Sequence, residues 1–248
     1  MIKSIGEQFI ENTKYHSLDA SDQMRGFPPP PLELEWDKEL PLSELPSPSD
    51  ITVTHTDLRV AIERRSSVRE YSKGSLSLEE LSYLLWCTQG VKEIIHYSAT
   101  LRTVPSAGAR HAIETYLLVN NIADLNVGLY RFLPSKHCLI QLSDEQGLSD
   151  KASTACFGQN FIKTSAVTFI WTAVVYRMSW RYGERGYRYL YLDAGHICQN
   201  LYLSAESIDC GVCAIGAFND DDMNRLLGVN GKEQFVIYIG TVGRKPVS

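Results

Sequence analysis

The chain has 248 residues, 44% of them hydrophobic and 21% charged, with a formal net charge of -5. That length suits one good-sized domain with an extension, or two small ones, and the acidic balance argues against nucleic acid as a main partner, because phosphate neutralisation needs a basic face. The longest strongly apolar run, Ala166 to Tyr176, is far too short for a bilayer and rich in β-branched residues, so no membrane partner is expected.

Ile2 to Lys14 reads as a short helix with no apolar core segment, so it is not a signal peptide and the cytoplasm is the expected location. Phe27-Pro28-Pro29-Pro30-Pro31 follows, then Pro41, Pro46 and Pro48; prolines hold the backbone extended without sheet partners. Phe27, Leu32, Leu34, Trp36, Leu40 and Leu42 are too apolar for a segment that never packs. Residues 1–50 therefore read as a proline-rich arm lying across the domain, residues 51–248, or across a partner subunit.

Asp57 to Arg65 reads as a helix running into Arg64-Arg65-Ser66-Ser67-Val68-Arg69-Glu70-Tyr71. Arginines near a helix C-terminus complement the dipole, and that alone would explain them. The same run also suits an anion with several oxygens, since guanidinium forks bind phosphate bidentately and hydroxyls fill the remaining acceptors. Ser77 to Glu80 is a capping box opening a helix that stops at Gly90. Pro105-Ser106-Ala107-Gly108-Ala109 is a tight turn before a strand, Ile113 to Asn120. Gly128–Phe132 and His137–Leu142 read as hairpin strands, Ser143 to Gln146 as the cap of another helix, and Ser165–Tyr176 as a buried strand.

Tyr187 to Ser207 reads as one long helix, with Leu190, Ala194, Ile197, Leu201, Ala205 and Ile208 on a stripe widened by Tyr191, Cys198 and Tyr202. Its other side carries Leu192, His196, Gln199, Asn200, Leu203 and Ser204, and between Arg188 and Glu206 the only charge is Asp193. Such a helix is expected to be buried on most sides, in a core or at a subunit interface. The small residues from Gly211 to Ala217 then form a stretch where backbone could approach a flat ligand. Val212–Gly216 and Glu233–Val242 read as strands, and Asn219 opens a helix closed by Gly228. Asp220, Asp221 and Asp222 sit in that helix's first turn, where acids complement the dipole, so no metal is expected there. Six scattered cysteines, including Cys210 and Cys213 at C-x-x-C spacing, read as buried free thiols: no second ligand pair exists for zinc. Interspersed strands and helices make the class α/β or α+β with a mixed sheet.

Taken in order, Arg-Arg-Ser-Ser-x-Arg-x-Tyr, Pro-Ser-Ala-Gly, the long helix, Ala214-Ile215-Gly216-Ala217-Phe218 and a basic-ended last strand resemble the nitroreductase superfamily of FMN oxidoreductases. Within it, Tyr182-Gly183-Glu184-Arg185-Gly186-Tyr187-Arg188-Tyr189, Asp193-Ala194-Gly195-His196, Gln199-Asn200-Leu201 and the early Lys14-Tyr15-His16 are similar to the SagB-type dehydrogenases. The resemblance implies a nitroreductase-like three-layer α+β fold, with a central, mainly antiparallel sheet flanked by helices. It implies a homodimer with the long helix at its interface and two FMN sites there, NAD(P)H being a transient reductant. Carried over by position, Arg65, Ser66, Ser67 and Arg69 contact FMN, with Arg69 nearest the pyrimidine end. Pro105, Ser106, Ala107 and Gly108 reach it from the other subunit. Ile215, Gly216 and Ala217 border the isoalloxazine near N5, and Arg244 helps hold the phosphate.

Two positions depart from the pattern. Ala109 stands where nitroreductases proper commonly have Asn. Arg181-Tyr182 stands where azoline-forming SagB relatives have a Lys-Tyr pair, and arginine is a poor general base. Arg181 and Tyr182 are the candidate catalytic residues: Tyr182 as proton or hydrogen-bond donor, with Arg181 beside it favouring an anionic substrate or a lowered tyrosine pKa. Both could instead only pack the start of the long helix. The implied function is hydride or electron transfer between bound flavin and a small-molecule or peptide substrate. A flavin- or partner-binding protein without turnover, or a structural dimer, remains the alternative.

Overall fold

The computed structural model describes residues 3–53, 56–95 and 99–246. Seven strands form the main sheet: β1 (Leu42–Glu44), β4 (Ile113–Val119), β5 (Gly128–Leu133), β6 (Cys138–Ser143), β7 (Val167–Val174), β8 (Cys210–Ile215) and β9 (Gln234–Arg244). Their order is β1-β6-β5-β4-β7-β9-β8, and every pairing between neighbours is antiparallel. Parallel geometry enters only as isolated bridges among the described residues, one of which joins Ser67 to Val212. β2 (Val91–Ile95) and β3 (Ala99–Arg102) make a separate two-stranded ribbon.

Strand periodicity divides the sheet's two faces. On β7, Val167, Phe169, Trp171 and Ala173 point into one core, shared with helices α3 (Leu78–Gln89) and α7 (Gly186–Glu206). Ile170 points the other way, with Tyr116 and Leu118 of β4 and Ile239 of β9, into a second core. That core is closed by α4 (Leu148–Ala155), α5 (Phe161–Thr164) and α8 (Asp220–Leu227). The result is the expected three-layer α+β arrangement, and no described helix is long and apolar enough to cross a membrane.

The helix caps show why several ends fall where they do. Ser77 and Glu80 exchange hydrogen bonds in a complete capping box at α3. Asn219 accepts from the Asp222 N–H, and Gly228 takes the left-handed conformation that stops α8. Ser143 does not cap a helix. Its hydroxyl accepts from Glu145 N–H inside a turn, and α4 starts later, after a left-handed Gly147. The apolar run read as a strand to Tyr176 also ends sooner. At Val175 the chain turns into α6 (Val175–Tyr182), which buries Arg177, Met178 and Trp180. Gly186 lets α7 cross α6 closely, since a Cβ there would lie 3.2 Å from Met178 Cγ.

Much of the first fifty residues packs on this chain's own domain. The Arg131 guanidinium donates to the Leu34 and Glu35 carbonyls, and Trp36 packs on Leu133, Cys138 and Ile140. β1 then extends the sheet beside β6, and the Pro46 carbonyl accepts from Ser82 Oγ. Further upstream, α1 (Ile5–Asn12) begins later than expected, the predicted first residue Ile2 lying outside the described residues. Its carboxyl end is held by Arg188, which donates to the Ile10 carbonyl and Thr13 Oγ, while Arg185 donates to the Thr13 carbonyl. Cations at a helix C-terminus are favoured by its dipole.

Within the stretch Gly211–Ala217, the glycines serve different purposes. Gly211 leaves room for Val68: a Cβ there would sit 2.6 Å from the Val68 side chain. Gly216 faces open space, with nothing within 4 Å of a Cβ position. Gly211→Ala should therefore force the segment around Val68 off β8 and cost about 1–3 kcal/mol of stability, the usual range for overpacking. Gly216→Ala should be close to neutral in the same urea titration. Equal midpoints for both variants would contradict this packing.

Candidate functional site

Two clusters of the expected site residues lie at different stations along α7. The first gathers around Tyr202, which is almost fully buried. Its hydroxyl accepts from the Ala214 N–H at 2.9 Å and bonds Ser67 Oγ at 3.0 Å, while Arg65 lies over its ring at 5.3 Å. Val68 N–H donates to the Val212 carbonyl, so the segment carrying Arg65, Ser66, Ser67 and Arg69 is stitched alongside β8. Ser66, Ser67 and Arg69 remain exposed, as do Gly216 and Ala217, while Ile215, just before Gly216, is buried. No described carboxylate lies within salt-bridge distance of Arg65 or Arg69. Open guanidinia, hydroxyls and a glycine facing open space suit a ligand with an anionic end and a flat end.

The second cluster gathers around Asp193, nine residues (202 − 193) and about 13 Å of helix rise from Tyr202. Asp193 Oδ2 accepts from Ser106 Oγ at 2.5 Å, and Oδ1 from the Ala107 N–H at 3.2 Å. Burial pushes the Asp193 carboxyl up from its ordinary range, against the pull of those two donors. Ser106 Oγ in turn accepts from the His111 N–H. Next to Pro105, Ser106 and Ala107, Gly108 is left-handed, with φ +59°, and there Arg181 and Tyr182 close over the backbone. A Cβ on Gly108 would lie 2.5 Å from the Tyr182 hydroxyl and 2.9 Å from Arg181 Cδ and Nε. The expected pair is thus brought together with the Pro-Ser-Ala-Gly turn, but not with Arg65, Ser67 and Gly216 of the same chain.

Arg244 is differently employed from the phosphate role expected of it. It donates to both oxygens of Glu80, at 2.6 and 2.7 Å, to the Ser75 and Ile208 carbonyls, and to Cys210 Sγ. These contacts engage all three guanidinium nitrogens, tying the end of β9 to the start of α3 and the turn after α7. All six cysteines are free, and burial raises the Cys210 thiol to about 12.

Three features escaped the sequence reading. In the sequence Tyr202 reads only as part of the apolar stripe, because nothing in a single tyrosine reveals that its hydroxyl bonds Ser67, 135 residues away. The buried pair Arg177–Glu114, at 2.8 Å, anchors α6 to β4 and so fixes the helix that ends in Arg181 and Tyr182. On α7, Leu192, Gly195, His196 and Gln199 of the uncharged face are exposed in the single chain, and so is Tyr191, against the expectation that it widens the buried stripe.

Comparison with known proteins identifies the frame into which these clusters fit. The family described as "Nitroreductase family" matches residues 62–244. A Methanocaldococcus jannaschii protein named provisionally as a nitroreductase is 34% identical over 186 residues, 75% of this chain and 89% of its own. The trifolitoxin-processing protein TfxB of Rhizobium leguminosarum bv. trifolii is 31% identical over 139 residues, 53% of this chain but 37% of its own. A crystal structure from Anabaena variabilis, also named provisionally as a nitroreductase, superposes with a TM-score of 0.65 at 32% identity. That match covers 77% of this chain and 38% of the Anabaena chain, so this chain spans well under half of two of these relatives.

The second cluster has a measurable pH signature. Burial, then the neighbouring Arg102, Arg110 and Arg177, hold the His111 imidazole down at about 3. The unfolded chain binds a proton near pH 6.5 that the folded chain refuses until about 3, so stability falls as pH drops through that window. His111 has φ +43°, a conformation that asparagine tolerates well. His111→Asn should lose roughly 2 kcal/mol less than the parent between pH 7 and pH 5, one proton's linkage over about 1.5 units. Parallel urea midpoints for parent and variant across that range would contradict the buried neutral histidine.

Proposed function

The chain belongs to the nitroreductase family, and on that footing we propose that it is an FMN-dependent oxidoreductase of the SagB-type dehydrogenase branch. The observation that carries the reading is the Tyr202 cluster. It presents Arg65 and Arg69 without a described acid partner, two serine hydroxyls, and an open Gly216 beside them. Arg65, Ser66 and Ser67 would hold the anionic end of the cofactor and Arg69 the pyrimidine end of its ring, where negative charge gathers on reduction, with Ile215, Gly216 and Ala217 along one side. FMN supplies the capacity to accept and return a hydride; the protein supplies position and electrostatics.

The Asp193 cluster completes the site from a second copy of the chain. Its separation from Tyr202 along a rigid helix keeps the two halves of one chain apart. The open, uncharged face of α7, with Tyr191 and Leu192 more than half exposed, offers the surface over which two copies would meet. In that homodimer, Pro105, Ser106, Ala107 and Gly108 border the cofactor bound by the partner. Tyr182 presents its hydroxyl from the Gly108 backbone and gives or takes a proton at the substrate. Arg181 keeps a fixed positive charge beside it, in place of the lysine of azoline-forming relatives. One relative, TfxB, is named as a trifolitoxin-processing protein and another provisionally as a nitroreductase, so the substrate is proposed to be either a peptide or a small molecule. NAD(P)H would serve as a transient reductant, and the cytoplasm as the place of work.

The purified protein should carry non-covalent FMN whose visible absorbance bleaches with NAD(P)H or with a true substrate. Colour without bleaching would favour a flavin-binding protein without turnover. Arg65→Ala combined with Ser67→Ala should weaken FMN binding by at least 10-fold and up to about 150-fold, the equivalent of one charge-assisted hydrogen bond of ~1.5–3 kcal/mol. Reconstitution of the apoprotein, followed by fluorescence, gives the affinity. An unchanged dissociation constant in a folded double variant would remove this cluster from the cofactor site.

A further inference from the structure

Four arginines follow one another through α6 and the start of α7, and three of them are structurally committed. Arg177 pairs with Glu114 and donates to the His111 carbonyl. Arg185 donates to the Thr13 carbonyl and to the Tyr189 hydroxyl. Arg188 donates to Thr13 Oγ and the Ile10 carbonyl. Arg181 differs: among the described residues its guanidinium makes no hydrogen bond and has no carboxylate within salt-bridge distance. Its contacts are the ring of Tyr182, 5.6 Å away, and the backbone of Gly108.

Arg181 is nevertheless positioned. Cδ and Nε rest on the left-handed Gly108 beside the Tyr182 hydroxyl, so the chain presents a guanidinium and a phenol side by side at one turn. The surroundings add positive charge. Arg181 and Arg177 both act to lower the Arg110 pKa, though less than its burial does. Two acids of the cluster are engaged, Glu114 by Arg177 and Asp193 by Ser106 and Ala107, and Glu184, three residues on, is not within salt-bridge distance of Arg181. On a chain of net charge -5, such a local excess of cations is not background. A planar guanidinium with unused donors matches a carboxylate in two parallel hydrogen bonds.

We infer that Arg181 receives a carboxylate of the substrate and thereby places that substrate beside the Tyr182 hydroxyl. The inference rests on the reading of the Asp193 cluster as the substrate-facing half of the flavin site, and it names the substrate class as a carboxylate-bearing molecule. The same chemistry occurs in a small organic acid and at the C-terminus or an acidic side chain of a peptide.

The test uses calorimetric binding to the full-length protein as purified, with two matched pairs of probes. Benzoate against benzamide represents the small acid, and N-acetyl-Ala-Ala with a free or amidated C-terminus represents the peptide. In the parent, the carboxylate member of at least one pair should bind about 10-fold or more tightly than its neutral twin, the scale of a charge-assisted hydrogen bond. The pair with the larger ratio identifies the source. Arg181→Gln should abolish the ratio while leaving the neutral probe's affinity unchanged, and Arg181→Lys should keep part of it. A parent that does not prefer either carboxylate, or binds no probe, overturns the inference, as does a preference that survives Arg181→Gln. Flavin content is read separately from the same samples. A colourless protein that still prefers carboxylates would sink the flavin reading alone; a flavin-loaded protein without that preference would sink this one alone.

Discussion

Helix α7 is the constraint on which the rest of the molecule depends. It is 21 residues long, packs on the sheet through Leu190, Ala194, Ile197, Leu201 and Ala205, and bonds a separate segment at each of two stations, Asp193 and Tyr202. Asp193 fixes the Ser106–Gly108 turn, and Tyr202 fixes the strand β8 backbone and the Ser67 hydroxyl. Because a helix neither bends nor shortens cheaply, the distance between those stations is set by its rise. On the proposed reading, the two halves of the site divided in this way would meet when a second α7 brings the complementary half.

Charge is distributed to serve that division. The chain is acidic overall, yet several of its arginines are spent on backbone carbonyls, and two are paired with the glutamates Glu114 and Glu80. Arg131 secures the proline-rich segment through two carbonyls, and Arg185 and Arg188 secure α1 through the end of its helix. Arg177 is fully desolvated with Glu114, an arrangement that stabilises little by itself but is costly to break, by about 3–5 kcal/mol when one partner is removed. Its effect is to fix α6, and with it Arg181 and Tyr182, against β4. Among the described residues, Arg65, Arg69 and Arg181 are left without a carboxylate partner, at the two clusters proposed to form the site.

Local chemistry made most of the elements legible. The α3 capping box, the Asn219 cap with Gly228, the hairpin of β5 and β6, and the α7 stripe all rest on residues close in sequence. The failures share a cause. The apolar run from Ser165 was read through to Tyr176 because a strand and the start of a buried helix look alike over so few residues, and α6 has only eight. β1 has three residues and exists because β6 offers an edge, which no local pattern reveals. Ser143 had the right residue types for a cap, but they close a turn. At the site, resemblance supplied positions while the structure supplied connections. It placed Arg181 and Tyr182 on Gly108, gave Gly211 to Val68 and Arg244 to Glu80, and made Tyr202 the joint between Ser67 and Ala214.

The central claim is that one working site is assembled from the Tyr202 cluster of one chain and the Asp193 cluster of another. Mixed dimers test it most directly. One chain would carry Arg65→Ala with Ser67→Ala, the other Gly108→Val, whose Cβ must collide with Tyr182 and Arg181. Each variant alone should lose FMN, while the differently tagged heterodimer, purified on both tags, should regain one site built from two intact halves and bind one FMN per dimer. A heterodimer that binds no more FMN than its parents would show that the two clusters do not belong to a shared site.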